Sequence, residues 1–328
     1  MANLLYSGWH RSLGYSYFAM DLDSIEIREG APVALIEGSL CTTAYPECDG
    51  QRGVLSRFLG ETGGFQFEMA YWVAHWLNVP AFVMCMNPLQ TSMVQSDIHI
   101  LSLSNGETMR TNLAGYVQFI QNLPALPSPL QVPPLSLPDL LEKLQRSFEG
   151  IGNYPYFSRL KRARWLEDYE LRLQEIANRQ GRHPSRINTP KNFGNFRVKG
   201  ETTGQRPEDY EIIRQRIDRP YFHLDWVEWR KDNLSQTIGR PAALIKTVVV
   251  EEPCDFEVVA EAHYRNFVAS SESHWWSNVA SQMLVRWYFV VYSLTPQSYM
   301  GQRLSVWRDD GRGHIFDQKN YAAWIMSL

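Results

Sequence analysis

Asp23-Ser-Ile-Glu26-Ile-Arg28 and, after a short gap, Pro32-Val-Ala-Leu-Ile-Glu37 form the stretch on which the fold turns. Both segments are short and rich in strand formers. Glu29-Gly30-Ala31 separates them, with Gly30 supplying the backbone angle that a tight turn demands. The stretch predicts a β-hairpin. Centred on Gly30, its cross-strand partners have numbers that sum to sixty, so Asp23 faces Glu37 and Asp21 faces Ser39. By two-residue alternation these four share one face, while Glu26 lies on the other, toward Arg28-type partners. Directly opposed side chains stand roughly 5 Å apart at Cβ. Carboxylates that close repel unless a cation lies between them, and an oxygen-rich cluster suits Mg²⁺ or Mn²⁺.

The stretch recurs. Two hundred residues on, the chain reads Asp225-Trp-Val-Glu228-Trp-Arg230 and then Pro241-Ala-Ala-Leu-Ile-Lys246. Downstream, Met69–Leu77, helix-like, leads to Phe82-Val-Met-Cys85; Val279–Trp287 leads to Phe289-Val-Val-Tyr292. A turn signal follows in each half, Asn105-Gly106 or Asp310-Gly311, and then a closing helix, Tyr116–Leu123 or Tyr321–Leu328. Five elements in one order, twice, predict a duplicated domain, with a period far longer than a solenoid repeat. The expected boundaries are 1–123, 124–200 and 201–328.

Such a pattern, an Asp on one strand, a turn, and an apolar strand ending in Glu-x-Lys, resembles the PD-(D/E)XK phosphodiesterases, the restriction-endonuclease-like nucleases. The resemblance covers about residues 1–123 and, more faintly, 207–328. It implies an α/β fold of two tandem restriction-endonuclease-like domains, each a mixed central sheet flanked by helices in the order α-β-β-β-α-β. It also implies metal-dependent phosphodiester hydrolysis: Asp23 and Glu37 hold Mg²⁺ or Mn²⁺, with Asp21 as a third ligand, and DNA or RNA is the substrate. The family's lysine, which helps activate the attacking water, corresponds here to Ser39, which carries no charge. In the second copy Asp225 is kept, but Lys246 and Val248 stand at the Glu and Lys positions, so that copy is expected to bind no metal. The alternative is a catalytically inactive scaffold that binds nucleic acid or protein.

Between the copies, six prolines from Pro124 to Pro138 predict a stiff, extended linker. A helix beginning at Ser136-Leu-Pro-Asp139 follows, with Leu140, Leu141, Leu144 and Phe148 at helical spacing. A second carries Phe157, Leu160, Leu166, Tyr169, Leu173 and Ile176 on one stripe, with Arg159, Arg162 and Arg164 largely off it. Residues 151–200 hold eleven Lys/Arg against four Asp/Glu, although the whole chain has net charge −3. This basic connector, with Arg159, Lys161, Arg162 and Arg164, is the expected polyanion contact, joined by Arg11; protein docking is its other reading. His10, beside Arg11, is read as a surface or phosphate-contact residue.

Composition bounds the rest. Hydrophobic content of 44% with 20% charged residues excludes disordered and collagen-like classes. The longest apolar candidate, Met283–Leu294, is short and carries Arg286, so no membrane span is expected. Four cysteines without a C-x-x-C pair, no secretory leader pattern and no Walker or G-x-G-x-x-G motif predict a cytoplasmic protein without a nucleotide cofactor. The Trp275-Trp276 pair is assigned to core packing rather than base stacking.

Overall fold

The computed structural model describes residues 10, 17–40, 64–86, 98–131, 133–149, 217, 220–230, 240–251, 255–294 and 303–328. The fold is mixed α/β, with strands of a large mixed sheet flanked by helices. The first half runs β1 (Tyr17–Arg28), β2 (Ala31–Leu40), α1 (Gly64–Leu77), β3 (Ala81–Met86), β4 (Ile98–Ser102), β5 (Thr108–Thr111) and α2 (Leu113–Asn122). A 3-10 turn at Ser128–Leu130 and helix α3 (Leu137–Glu149) follow. The second half runs β6 (Tyr221–Arg230), β7 (Arg240–Glu251), α4 (Phe256–Val268), α5 (Ser271–Gln282), β8 (Arg286–Leu294), β9 (Leu304–Arg308), β10 (Gly313–Phe316) and α6 (Gln318–Ser327).

Two compact units result, and they do not follow chain order. One contains the described residues from 22 to 149 together with 217–223; the other contains 10, 17–21 and 224–328. Each unit therefore takes in the segment that leads into the other's first strand. Ile217 is buried in the first core and Ala19 packs against the second.

Within the first unit the strand order is β1-β2-β3-β4-β5. Only β2–β3 is parallel, as the α1 crossover requires. The alternation of β2, β3 and β4 sends Ala34, Ile36, Phe82, Met84, Ile98 and Ile100 to one face. There Leu113, Tyr116, Phe119 and Ile120 of α2 seal the core. The second unit repeats this as β6-β7-β8-β9-β10, with β7–β8 parallel.

The repetition extends to single bonds. The β1–β2 loop is the two-residue turn Glu29-Gly30, with φ of 52° and 78°, and one step in register is lost between Glu26 and Ile27. The β6–β7 pair loses the same step between Glu228 and Trp229. Arg28 donates to the Leu123 carbonyl at 2.7 Å, and Arg230 to the Ile325 carbonyl, so each hairpin arginine ties down the end of its closing helix. Asn112 and Asp317 cap those helices by accepting from Gly115 and Asn320.

Three features differ from the sequence reading. A short strand, β5 or β10, lies between each Gly turn and the closing helix, giving β-β-α-β-β-β-α among the described residues of the first half where the resemblance implied α-β-β-β-α-β. Val279–Trp287 is not one helix: α5 ends at Gln282 and Trp287 lies in β8, because the chain reverses through the turn at Met283–Val285. Helix α4 was not anticipated, and it performs in the second unit a task that α3 performs in the first. The Gly106 turn packs against Leu140, Lys143 and Leu144 of α3, and the Gly311 turn faces the Tyr264 hydroxyl of α4. Helix α3 starts where its Ser-Leu-Pro-Asp segment suggested, and Ser136 caps it by accepting from the Asp139 amide.

The helix α1 and α5 C-termini close alike. Val79 N–H reaches the Ala74 carbonyl and Val285 N–H the Ala280 carbonyl, both at 3.0 Å, with Asn78 (φ 51°) and Leu284 (φ 55°) left-handed. Asn tolerates that conformation and Leu does not; Leu284 is also 92% exposed. Leu284→Asn should therefore raise the unfolding free energy by about 0.5–1 kcal/mol, read from urea denaturation.

Candidate functional site

The paired positions Asp23 and Glu37 lie where the β1–β2 ladder ends. Its last rung pairs Ser24 with Ile36, and beyond it side chains replace carbonyls as acceptors. Gly38 N–H donates to Asp23 Oδ2 at 2.7 Å, and Asp23 N–H donates to Glu37 Oε2 at 3.2 Å. Two carboxylates thus stand side by side where the strands part. Glu37 is 1% exposed and Asp23 half-buried. They lie on the sheet face opposite Glu26, which the Ser24 hydroxyl reaches at 2.6 Å. On the α1 face, Met69, Val73 and Leu77 of that helix are buried.

The same place in the second unit shows what the geometry favours. Thr247 N–H donates to Asp225 Oδ2 at 2.8 Å, the counterpart of Gly38 and Asp23. At the position matching Glu37, Lys246 Nζ donates to Asp225 Oδ1 at 3.3 Å and to Glu272 Oε1 of α5 at 2.8 Å. Its ammonium also stands 5.8 Å from the Trp276 ring centroid, and Trp276 is itself fully buried in the core. Burial pulls the Lys246 pKa down, but Asp225 and Glu272 more than offset it, so the ammonium is held above its ordinary value. One copy thus sets a cation and a carboxylate face to face; the other sets two carboxylates.

Tyr71, Tyr264, Tyr288 and Tyr292 are all raised by burial, Tyr292 most. All five groups, Lys246 included, have folded pKa values above their unfolded ones. Their contribution to stability is complete below about pH 10 and falls as pH rises through the folded values. Melting temperature should be flat from pH 7 to about 9 in these groups' contribution and drop steeply beyond about 10; a melting series in borate and carbonate buffers reads it.

Of the other residues singled out from sequence, Asp21 is half-buried two positions before Asp23 on β1. Ser39 pairs through its backbone with Cys85 of β3. Among the described residues no group of three or more His, Cys, Asp and Glu side chains is placed to hold a metal. Arg11, Arg159, Lys161, Arg162 and Arg164, and the second connector helix, lie outside the described residues. No helix among the described residues is long and apolar enough to cross a membrane. His10 belongs to neither surface nor phosphate contact: it is 2% exposed, and its Nε2 lies 2.8 Å from Oε2 of the fully buried Glu228. Arg230 Nη1 reaches the same oxygen at 3.4 Å. Sequence gave no signal for His10, whose partner is 218 residues away.

No family model, curated protein or solved structure matches the chain.

Proposed function

We propose that the first copy is a divalent-cation-dependent, nucleic-acid-processing module of PD-(D/E)XK-like type, in which Asp23 and Glu37 hold Mg²⁺ or Mn²⁺ and phosphodiester hydrolysis is the activity. The observation that carries this is the pairing of two carboxylates at the end of the β1–β2 ladder, cross-tied to Asp23 N–H and Gly38 N–H. Those backbone bonds fix the direction of both carboxyl groups, and hard oxygen donors match these ions. A cation there supplies Lewis acidity toward a phosphodiester oxygen. Asp23 and Glu37 orient it, Asp21 is the candidate third ligand, and Ser39 stands in the lysine's place. Arg11 and the connector's Arg159, Lys161, Arg162 and Arg164 supply positive charge for DNA or RNA, and the setting is the cytoplasm.

The second reading, a non-catalytic scaffold that binds nucleic acid or protein, is favoured by Lys246. An ion pair with Asp225 and Glu272 fills the second copy's equivalent position with the protein's own positive charge.

Mn²⁺ titration followed by thermal denaturation, together with cleavage of plasmid, single-stranded DNA and RNA, separates the two. Mn²⁺ at 100 times its Kd should stabilise the protein by about 2.7 kcal/mol. Glu37→Ala should abolish both that gain and the cleavage. Absence of cleavage on every substrate, or cleavage that Glu37→Ala and Asp23→Ala retain, rejects the nuclease assignment.

A further inference from the structure

The two units treat their outermost strands differently. In the first, the chain leaving α2 turns back over its own core. Leu126 packs against the core cluster, Leu130 is buried within it at 2% exposure, and the Ser128–Leu130 turn lies beside β5. Leu135 N–H then donates to the Ser104 carbonyl at 2.7 Å, and the Tyr71 hydroxyl donates to the Leu135 carbonyl at 3.2 Å. This proline-rich strap is the route from α2 to α3. Among the described residues of the second unit no segment takes such a route, and α4, its helix at the Gly turn, precedes α5 in the chain.

Among the described residues the matching surface of the second unit is more exposed. Phe119 and Leu123, in the same core cluster as Leu130, are 4% and 0% exposed, whereas their counterparts Trp324 and Leu328 are half-buried. Met109 is half-buried, and its counterpart His314 is exposed, as are Gly313 and Ile315 on β10, the outermost strand of this unit. The shelf is aromatic: Phe316 and Trp324 stack at 5.9 Å, Tyr288 meets Trp324 edge-on at 5.0 Å, and His314 lies 6.3 Å from Phe316. Aromatic shelves are the recurrent seat for extended proline-bearing segments, which bind with little ordering cost because proline fixes the backbone beforehand. An outer strand also offers backbone N–H and C=O groups to such a segment.

We propose that the β10–α6 shelf formed by His314, Phe316 and Trp324 is a docking surface for an extended segment of a partner protein bearing prolines and leucines, seated as Leu126 and Leu130 are seated in the first unit. The proposal is independent of the cation site.

The probe is a dye-labelled peptide with the sequence of residues 124–136, titrated with the full chain and read by fluorescence anisotropy. Saturable binding is expected. A peptide carrying Leu126→Asp and Leu130→Asp should bind about tenfold or more weakly, as loss of anchor side chains does. In the protein, Trp324→Ala and the exposed substitution His314→Glu should each weaken binding of the unmodified peptide. His314→Glu is the control on folding, since the side chain is exposed. Absence of saturable binding overturns the proposal. So does binding that both protein variants retain, which would place the peptide on α2 in competition with the chain's own strap.

Discussion

Lys246→Met should destabilise the protein by about 3–5 kcal/mol, the cost of leaving a buried charge without its partner. Asp225 is 8% exposed, and in the variant its carboxylate would keep the Thr247 amide and hydroxyl, at 2.8 and 3.1 Å, but lose the ammonium. The companion change Asp225→Asn removes the charge yet keeps an oxygen for the Thr247 amide, so the double variant should recover a large part of the loss. Urea denaturation of the wild type, the two single variants and the double variant gives the coupling energy directly, expected at about 2 kcal/mol. A coupling near zero would mean that Glu272, 2.8 Å from the ammonium, holds Lys246 alone.

Glu228→Ala should cost a similar amount, about 3–4 kcal/mol, for a different reason. Glu228 is 0% exposed and accepts from two residues at once, His10 at 2.8 Å and Arg230 at 3.4 Å. Alanine removes both acceptor oxygens, strands the imidazole in the interior and leaves a void in place of a fully buried side chain. Glu228→Gln fills the volume and keeps one acceptor, so it should cost less than half as much. His10→Ala should fall between them, since Arg230 still faces the carboxylate. If His10→Ala proves neutral, Glu228 draws its stabilisation from Arg230 alone. The corresponding Glu26 takes a hydrogen bond from Ser24, two residues away, at 2.6 Å. Both glutamates thus have a partner two residues away, and Glu228 has the remote His10 as well.

The hairpin was legible because its information is local. Strand alternation and a glycine turn placed Asp23 opposite Glu37, and the two backbone-to-carboxylate bonds agree with that pairing. The loop itself is shorter than the reading centred on Gly30 suggests. A two-residue turn gives Ile27 opposite Pro32, numbers summing to fifty-nine. The register shift beside it, where Val33 is the extra residue, brings the sum to sixty from Glu26 outward. Turn and bulge together imitate the simpler hairpin at the distance that matters for the carboxylates. Order along the chain was legible as well, down to the closing helices. The small strands β5 and β10 were not, because four residues carry too little periodicity to separate a strand from a turn.

By itself, then, the sequence determined the hairpin pairs, the recurrence of their order, the opposition of Asp23 to Glu37 and of Asp225 to Lys246, and the start of α3. Each depends on residues close along the chain, where turn geometry and alternation leave few choices. Tertiary structure alone decided that the buried Glu228 meets His10, that α3 and α4 perform one task from different places in the chain, and that the strap packs beside β5. Those outcomes depend on segments brought together from far apart, and desolvation of a buried charge or apolar face selects among them only once the core has closed.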